Sequence, residues 1–306
     1  MAKNKTTMRD IAKACNVSVA TVSYVLNHSE HEKISHDTCL KVTEAATCLH
    51  YVPNTLAKRS AGHKSNLVGI IINLKQHNKS EKKLLYYDLA IELSNSVKLL
   101  GFESVIMTTK DLKNDFTVIA KHELDAIFMI DIDNQIVNKI TKNYYVPIIF
   151  LYGEVNDKLF CKIYPNYCSL LQKAKYILNT DTPFLVMEDI YSQCLKEQIH
   201  KEFASKDIFI NTPNSDLHLF LQTHSKSKGI VLSDILGLQM KLCMDPRDFV
   251  VLSSLGCTNM LPADIQTIYI KNKHAAAIAA ETLKKMLCLD YKAEEGNRIL
   301  LECEIQ

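Results

Sequence analysis

The order of apolar and polar residues near the start of the chain predicts a short amphipathic helix. Four apolar residues recur there at helical spacing: Met8, Ile11, Ala12 and Cys15. Thr7 precedes the helix, and its hydroxyl can accept a hydrogen bond from a free amide of the first turn. Asp10 lies three residues further on, completes a capping box and suits the positive end of the helix dipole. We therefore expect a helix that begins directly after Thr7.

A polar turn and a second helix follow. Asn16 and Val17 occupy the turn, and Ser18 is placed to cap a helix that runs from Val19 to about Leu26. The positions that face inward are apolar: Val22, Val25 and Leu26. The outer face then carries Val19, Ala20, Thr21, Ser23 and Tyr24.

A third helix completes the pattern, because two helices of this length cannot bury enough surface alone. Ser35 caps it, it runs to about His50, and its apolar stripe is Val42, Ala45, Ala46 and Leu49. Three helices with the second displayed outward form a helix-turn-helix, whose displayed helix fits a DNA major groove. The alternative is a helical hairpin that binds nothing. Small or hydroxyl-bearing side chains beside a helix N-terminus suited to phosphate argue against that alternative.

Three segments resemble the LacI/GalR family of bacterial transcription regulators. They are DIAKACNVSVATVSYVLN at residues 10–27, YVPNTLAKRSAG at 51–62 and LVGIII at 67–72. Their order and spacing match the family across about the first 72 residues, and later parts resemble it more loosely. The resemblance implies a protein that binds double-stranded DNA at a pseudo-palindromic operator as a homodimer.

The resemblance also assigns contacts within the second helix. In the family its first two residues, and one a turn later, touch base edges, and here these are Val19, Ala20 and Tyr24. Val19 and Ala20 could meet a thymine methyl, whereas family members commonly carry an arginine in place of Tyr24. We expect the operator half-site to differ at that base. The residues that would contact the DNA backbone are Thr7, Ser18, Thr21, Ser23 and Asn27. Helix capping and ordinary surface exposure are the alternative for Ser23 and Asn27.

A linker follows at residues 51–66. Pro53 starts it, Asn54 can cap, and residues 55–61 suit a short helix ended by Gly62. In the family this helix orders when two copies pair in the minor groove. The resemblance gives DNA contacts to Asn54, Lys58, Arg59 and Ser60. Many members have leucine in place of Ser60 and use it to open a base step. Serine cannot unstack bases in this way, so we expect less DNA bending.

From Leu67 onward, short apolar strands alternate with helical patterns, which predicts parallel α/β sheets. The predicted strands are 67–72, 104–108, 126–130, 148–152, 184–187, 208–210, 230–232, 249–252, 267–270 and 298–304, with helices at 84–100, 166–178 and 273–287. Ten strands exceed one comfortable sheet. The resemblance implies two lobes around a cleft, so the expected fold class is an all-α helix-turn-helix head followed by an α/β periplasmic-binding-protein-like body of two parallel-sheet lobes.

These patterns give the following domain organisation. The helix-turn-helix head is 1–50, and the hinge helix and linker are 51–66. The effector-binding and dimerisation body is 67–306. Within the body, lobe 1 is expected at about 67–155 and 267–292, and lobe 2 at about 160–264 and 297–306. The expected crossings between lobes are near 153–161, 262–267 and 292–298.

Charge and cysteine content agree with this organisation. The 306 residues are 47% hydrophobic with a net charge of +2, yet residues 1–64 alone carry +4. A basic head on a slightly acidic body is what phosphate binding predicts, although the asymmetry is modest. Ten cysteines lack CxxC spacing, no signal peptide opens the chain and no apolar run reaches membrane-spanning length. We therefore expect a cytoplasmic protein that does not contact a membrane.

Candidate catalytic and metal sites are weak. No GxGxxG, GxxxxGK[ST] or GxSxG segment occurs, which disfavours a nucleotide-binding enzyme or a hydrolase. Asp131 and Asp133 follow a predicted strand and could be paired acids, but acidic loops are common. His28, His31 and His36 share a polar loop that no further ligand completes. We expect no catalytic residue, no metal and no cofactor.

The expected effector cleft departs from the family. Residues 75–80, KQHNKS, replace an Asn-Pro phrase, and Ile190–Gln198 offers no arginine. Ser233 precedes a retained Asp234 but replaces the usual asparagine, and SSLG at 253–256 loses the acid of a Gly-Phe-Asp phrase. Sugar hydroxyls need bidentate charged groups, so ordinary sugar binding becomes doubtful. Asp234 remains the one candidate effector contact, with a helix N-cap as its alternative.

Three hypotheses stand at this point. The first is a dimeric DNA-binding regulator, expected to be a repressor, that responds to a sugar-like or other small molecule in the cleft. The second is the same regulator without a small-molecule effector, controlled by its abundance or by a protein partner. The third is an enzyme fused to a DNA-binding head, and the absent motifs make it the weakest.

Overall fold

The computed structural model describes most of the head and of the body. The described residues are 6–26, 34–49, 51, 65–74, 80–109, 124–132, 146–255, 260–288, 290–293 and 297–305. The predicted linker helix therefore lies outside them.

Three helices form the head: α1 (Met8–Cys15), α2 (Val19–Leu26) and α3 (His36–Cys48). Ile11, Val22 and Val42, one from each helix, are fully buried against one another. The amide of Thr38 donates to the hydroxyl of Ser35 at 3.3 Å and so caps α3. The helix-turn-helix predicted from the apolar pattern is confirmed.

The end of the head differs from the prediction at two residues. Leu49 was expected in the apolar stripe, yet its side chain is 38% exposed. Tyr51, expected to open the linker, is buried in the head core instead. The reason is that α3 ends at Cys48 and the chain turns back, so that the amide of Tyr51 donates to the carbonyl of Ala46 at 2.9 Å.

The body contains two sheets. Within the described residues, lobe 1 has the strand order β11-β5-β4-β3-β1-β2, all parallel. These strands are β1 (Leu67–Asn73), β2 (Glu103–Thr109), β3 (Ala126–Ile130), β4 (Ile148–Leu151), β5 (Cys161–Pro165) and β11 (Arg298–Leu301). Residues 68–72 of β1 are all buried, as expected for a parallel strand covered on both faces.

Lobe 2 has the order β12-β10-β9-β8-β6-β7 among the described residues. Its strands are β6 (Phe184–Glu188), β7 (Ile208–Asn211), β8 (Gly229–Leu232), β9 (Phe249–Ser253), β10 (Gln266–Tyr269) and β12 (Glu304–Ile305). Only the pairing of β10 with the short edge strand β12 is antiparallel in this part of the chain. Two parallel sheets with helices between their strands confirm the predicted fold class.

Six helices of the body are described. They are α4 (Ser80–Lys98), α5 (Tyr167–Leu178), α6 (Gln193–His200), α7 (Leu217–Thr223), α8 (Asp234–Lys241) and α9 (Asn272–Leu287), with single 3-10 turns at Ser205–Asp207 and Pro246–Asp248. Helices α4 and α9 pack side by side on lobe 1. This places the late helix in the first lobe, as expected.

The sheets correct the predicted division into lobes. Residues 161–165 and 298–301 were expected in lobe 2, but β5 and β11 pair with each other and β5 pairs with β4 in lobe 1. Residues 266–269 were expected at the start of the returning lobe 1 segment, but β10 pairs with β9 in lobe 2. The predicted strand 298–304 is divided between the two sheets. Apolar periodicity marks a strand but does not encode its partner.

Candidate DNA-binding head and inter-lobe cleft

The first helix of the head has the predicted capping box. The amide of Thr7 donates to Oδ2 of Asp10 at 2.8 Å, and the amide of Asp10 donates back to Oγ1 of Thr7 at 3.4 Å. The hydrogen bonds from Thr7 lower the pKa of the Asp10 carboxyl below its ordinary value. Thr7 itself is exposed, so its position is compatible with the predicted backbone contact.

The turn between α1 and α2 uses a left-handed residue. Asn16 has φ of +55°, a conformation that asparagine tolerates better than most residues, and the amide of Val17 donates to the carbonyl of Ala12 at 3.0 Å. The amide of Thr21 then donates to Oγ of Ser18 at 2.9 Å, which confirms the cap predicted for α2. The hydroxyls of Ser18 and Thr21 are also 2.8 Å apart.

The N-terminus of α2 is displayed while its opposite face is buried. Ser18, Val19 and Ala20 are exposed, with Val19 42% exposed. Tyr24 is half-buried one turn later. The buried side of the helix consists of Val22, Val25 and Leu26. The predicted base-edge residues therefore lie on the outward side, next to a helix terminus that favours anions.

Only some of the remaining predicted DNA contacts lie within the described residues. Thr21 and Ser23 lie partly exposed on α2. Asn27, Asn54, Lys58, Arg59 and Ser60 lie outside the described residues, as do His28 and His31. DNA contact by all of these residues stays a prediction.

The third histidine of the predicted loop joins the head to the body. Nε2 of His36, the first residue of α3, lies 2.7 Å from Oδ2 of Asp157, and its ring stacks on Phe160 with centroids 6.3 Å apart. No group of three or more potential metal ligands occurs among the described residues. No helix in that part of the chain is long and apolar enough to cross a membrane.

Residues after the carboxyl ends of strands in the two sheets contact each other: the amide of Tyr191, after β6, donates to Oδ1 of Asp131, after β3, at 2.7 Å. We call this region the cleft, because ligands of parallel α/β folds usually bind at this end of the strands. Asp234, the one predicted effector contact, is buried there at the start of α8. Its carboxylate accepts from Oγ of Ser253 at 2.5 Å and from the amides of Ser254 and Leu255 at 3.0 and 3.3 Å. The N-cap of α8 is Ser233 rather than Asp234. Asp234 thus joins β8 to the end of β9.

A buried glutamate at the end of β6 was not predicted. Nδ2 of Asn211 donates to Oε2 of Glu188 at 3.1 Å, and Oγ of Ser233 donates to Oε1 at 3.4 Å. Burial raises the pKa of Glu188 to about 7, against the opposing effect of the Asn211 hydrogen bond. Glu81 raises this pKa further, and Lys82 lowers it.

Lys82 is the second residue that the sequence interpretation missed. Its Nζ lies 2.7 Å from Oδ2 of Asp131, and both side chains are almost completely buried. Lys82, Tyr86 and Leu89 are spaced at i, i+4 and i+7 and share the buried face of α4. A lysine at an inward position of a helical repeat was the sequence signal that could have identified it. Asp133, the other predicted acid, lies outside the described residues.

Fold and site together define a class: a DNA-binding head of the helix-turn-helix type followed by two parallel α/β lobes. The family profile described as bacterial regulatory proteins, lacI family, matches residues 7–54. The head of this protein is therefore similar to the DNA-binding domain of the lacI family over those residues.

Individual relatives cover parts of the chain. It is 29% identical over 163 residues to the probable transcriptional repressor ExuR of Bacillus subtilis, which covers 52% of this chain and 47% of that protein. It is 29% identical over 103 residues to the sucrose operon repressor of Lactococcus lactis, covering 34% of this chain and 30% of that protein. The chain thus spans about half or less of the length of these relatives.

Solved structures match over almost the whole chain. A complex of the transcriptional regulator CelR with cellobiose has a TM-score of 0.60 at 15% identity, covering 99% of this chain and 98% of that chain. A lac repressor dimer bound to operator and the anti-inducer ONPF has a TM-score of 0.58 at 16% identity with the same coverage. At these identities the match establishes the fold.

Proposed function

We propose that this protein is a cytoplasmic transcriptional repressor that binds a pseudo-palindromic DNA operator as a homodimer. The observation that carries this proposal is the exposed N-terminus of α2, where Ser18, Val19 and Ala20 project from a head whose core is already complete. Such a terminus supplies free backbone amides for phosphate and small side chains for close approach to base edges. The relatives ExuR and the sucrose operon repressor are both named as repressors, which supports the same direction of control.

The test is a selection of bound sequences from random duplex DNA, using the full-length protein. We expect two inverted half-sites, because one head makes too few contacts for specificity against genomic competition. Competition with unselected duplex at near-physiological salt should leave the selected site bound. Equal affinity for selected and unselected duplexes would contradict the proposal.

A second copy of the chain has a suitable surface on lobe 1. Leu84, Tyr87 and Ile91 recur at helical spacing along the exposed face of α4, and Ile106 is exposed on the neighbouring edge strand β2. Contiguous exposed apolar residues of this kind mark protein contact surfaces. We call these four residues the α4 face and propose it as part of the dimer contact, consistent with the dimeric state of the matched lac repressor structure.

Control of the repressor has two candidate forms. A small molecule could bind in the cleft, since the matched CelR structure contains cellobiose. Control by abundance or by a protein partner is the other form. The carboxylate of Asp234 favours the second, because three protein donors already occupy it and leave less capacity for sugar hydroxyls. Among the described residues of the cleft, Asp131 is engaged as well.

A further inference from the structure

The ammonium group of Lys82 contacts both lobes. On its own lobe, Nζ lies 2.7 Å from Oδ2 of Asp131. On the opposite lobe, it donates to the carbonyl of Asp189 and lies 3.9 Å from the centroid of the Tyr191 ring. The amide of Tyr191 donates in turn to Oδ1 of Asp131 at 2.7 Å. We call these four residues the Lys82 bridge.

Burying the Lys82 ammonium at this position costs free energy unless neighbouring groups compensate its positive charge. Lys82 lies in the first turn of α4, where the positive end of the helix dipole disfavours a cation. Its side chain is 1% exposed, so water cannot solvate the charge. Asp131 supplies a counter-charge, and the rings of Tyr191 and Tyr86 supply cation–π attraction at 3.9 and 5.4 Å. The contact of Oδ2 with Nζ is ionic rather than a well-aligned hydrogen bond.

Closure of such a cleft ordinarily requires a ligand that touches both lobes. Here a carboxylate, an aromatic ring and a carbonyl from two lobes surround a desolvated ammonium, which is how a receptor for a primary amine would be built. We propose that Lys82 acts as an internal ligand that holds the two lobes closed without a small molecule. Two further hydrogen bonds join the lobes: Nε2 of Gln239 donates to Oε1 of Glu81 at 3.3 Å, and the amide of Glu154 donates to Oγ of Ser192 at 2.9 Å.

The wild-type protein provides the first test, through the reactivity of its lysines toward an amine-acylating reagent at neutral pH. Lys83 is the matched control, because it is adjacent on α4 but partly exposed. We expect Lys82 to be acylated at least about tenfold more slowly than Lys83, since reaction requires the lobes to open. Equal rates at the two lysines would overturn the proposal.

The second test removes the charge with Lys82→Met and follows amide hydrogen exchange. The amide of Tyr191 should exchange faster in the variant, because its acceptor Asp131 belongs to the opposite lobe. The amide of Phe184, which donates to Lys228 within lobe 2, is the internal control and should not change. Unchanged exchange at Tyr191 in a folded variant would overturn the proposal.

Chemical rescue covers the case in which the methionine variant does not fold. Lys82→Ala leaves space for propylammonium, which should raise the melting temperature of the variant more than that of the wild type. Neutral 1-propanol, of the same size, should not. Equal effects of the two additives would show that volume rather than charge is recognised, and would overturn the proposal.

The effect of the Lys82 bridge on operator binding rests on the proposed repressor function, and separate experiments can contradict the bridge and the repressor function. Operator affinity of Lys82→Met is compared with that of the wild type on the selected duplex. We expect at least about a fivefold change, because a regulatory role of the bridge requires lobe closure to be coupled to DNA binding by the head. A wild-type protein that selects no duplex contradicts the repressor proposal, whereas the acylation rates still decide the bridge. Equal operator affinity of a variant with faster Tyr191 exchange would overturn the regulatory role.

Discussion

At the scale of single residues, the head and the cleft use polar side chains in different ways. In the head, the helix caps join residues three apart in the chain, as between Ser18 and Thr21 or Thr7 and Asp10. In the cleft, the partners are distant in sequence, as for Asp131 with Lys82 and Tyr191. Short-range bonds follow from the sequence pattern, whereas the long-range ones depend on the fold.

Tyr24 should influence sequence preference rather than general affinity. Tyr24→Ala removes a single hydroxyl and a ring near the base edges, so we expect the preference at one base of each half-site to change by about 1 kcal/mol, roughly fivefold. Selection of random duplexes with wild type and variant measures this. Lys58→Ala is the control. It should lower the affinity for all duplexes by a similar factor and reduce the slope of log affinity against log salt concentration by about one. Identical selected sites for wild type and Tyr24→Ala would contradict the base-contact assignment.

Glu188 should make stability depend on pH. Its folded-state pKa is raised from 4.5 to about 7, so its protonated form is favoured by folding and its contribution is lost as pH rises from about 4.5 through about 7. Relative to wild type, Glu188→Gln should gain on the order of 3 kcal/mol in free energy of unfolding across that range. Denaturant unfolding at several pH values measures the difference. Glu281→Gln, on the exposed surface of α9, is the control and should show no such dependence on pH. If the free energies of unfolding of wild type and Glu188→Gln differ by the same amount at every pH, the prediction is wrong.

At the scale of elements, α4 is the helix with two separate roles. Its inward face carries Lys82, Tyr86 and Leu89, and its outward face carries Leu84, Tyr87 and Ile91. The inward face packs within lobe 1, and the outward face is the one that the proposed dimer contact would cover.

Disruption of the α4 face should dissociate the dimer. Ile91 is 54% exposed, and Ile91→Asp would place a charge in the proposed contact. We expect dimer affinity to fall at least about tenfold, because an unpaired charge is costly to bury. Analytical ultracentrifugation measures it. Leu219→Asp, at a 60% exposed position on α7, is the matched control and should leave the association constant unchanged. An equal loss of dimer affinity in both variants would contradict the proposal that the α4 face is part of the dimer contact.

The linker should bend DNA weakly. Ser60 lacks the apolar side chain that unstacks a base step, so the operator complex of the wild type should show little bend. Ser60→Leu should increase the bend by tens of degrees. Circular-permutation mobility on the selected operator measures both angles, with Ser60→Ala as the control that adds no wedge. A strong bend in the wild type would contradict the prediction.

At the scale of the whole molecule, the body is divided by strand pairing rather than by sequence order. Strand β5 follows β4 into lobe 1, and the last segment gives β11 to lobe 1 and β12 to lobe 2. The chain therefore passes between the lobes after β5, after β10 and after β11.

A self-closed cleft should not respond to neutral sugars. A ligand at 100 times its Kd stabilises a protein by about 2.7 kcal/mol, which is easily detected as a rise in melting temperature. We expect no rise for the wild type with neutral mono- or disaccharides, because Asp131 and Asp234 are already engaged. A saturable rise with one sugar would establish an effector and favour the first form of control.

The sequence by itself determined the head, its caps and the alternation of strands and helices. Ser18, Thr7 and the apolar stripes act over one or two helical turns, so their roles are visible in the spacing of residues. Lobe membership and the Lys82 bridge were decided only by tertiary structure. Residue 82, residue 131 and residues 189–191 belong to three separate segments, and their opposite charges and polar groups meet only after two sheets have formed and faced each other. Periodicity reports which side of an element is buried, but not what that side is buried against.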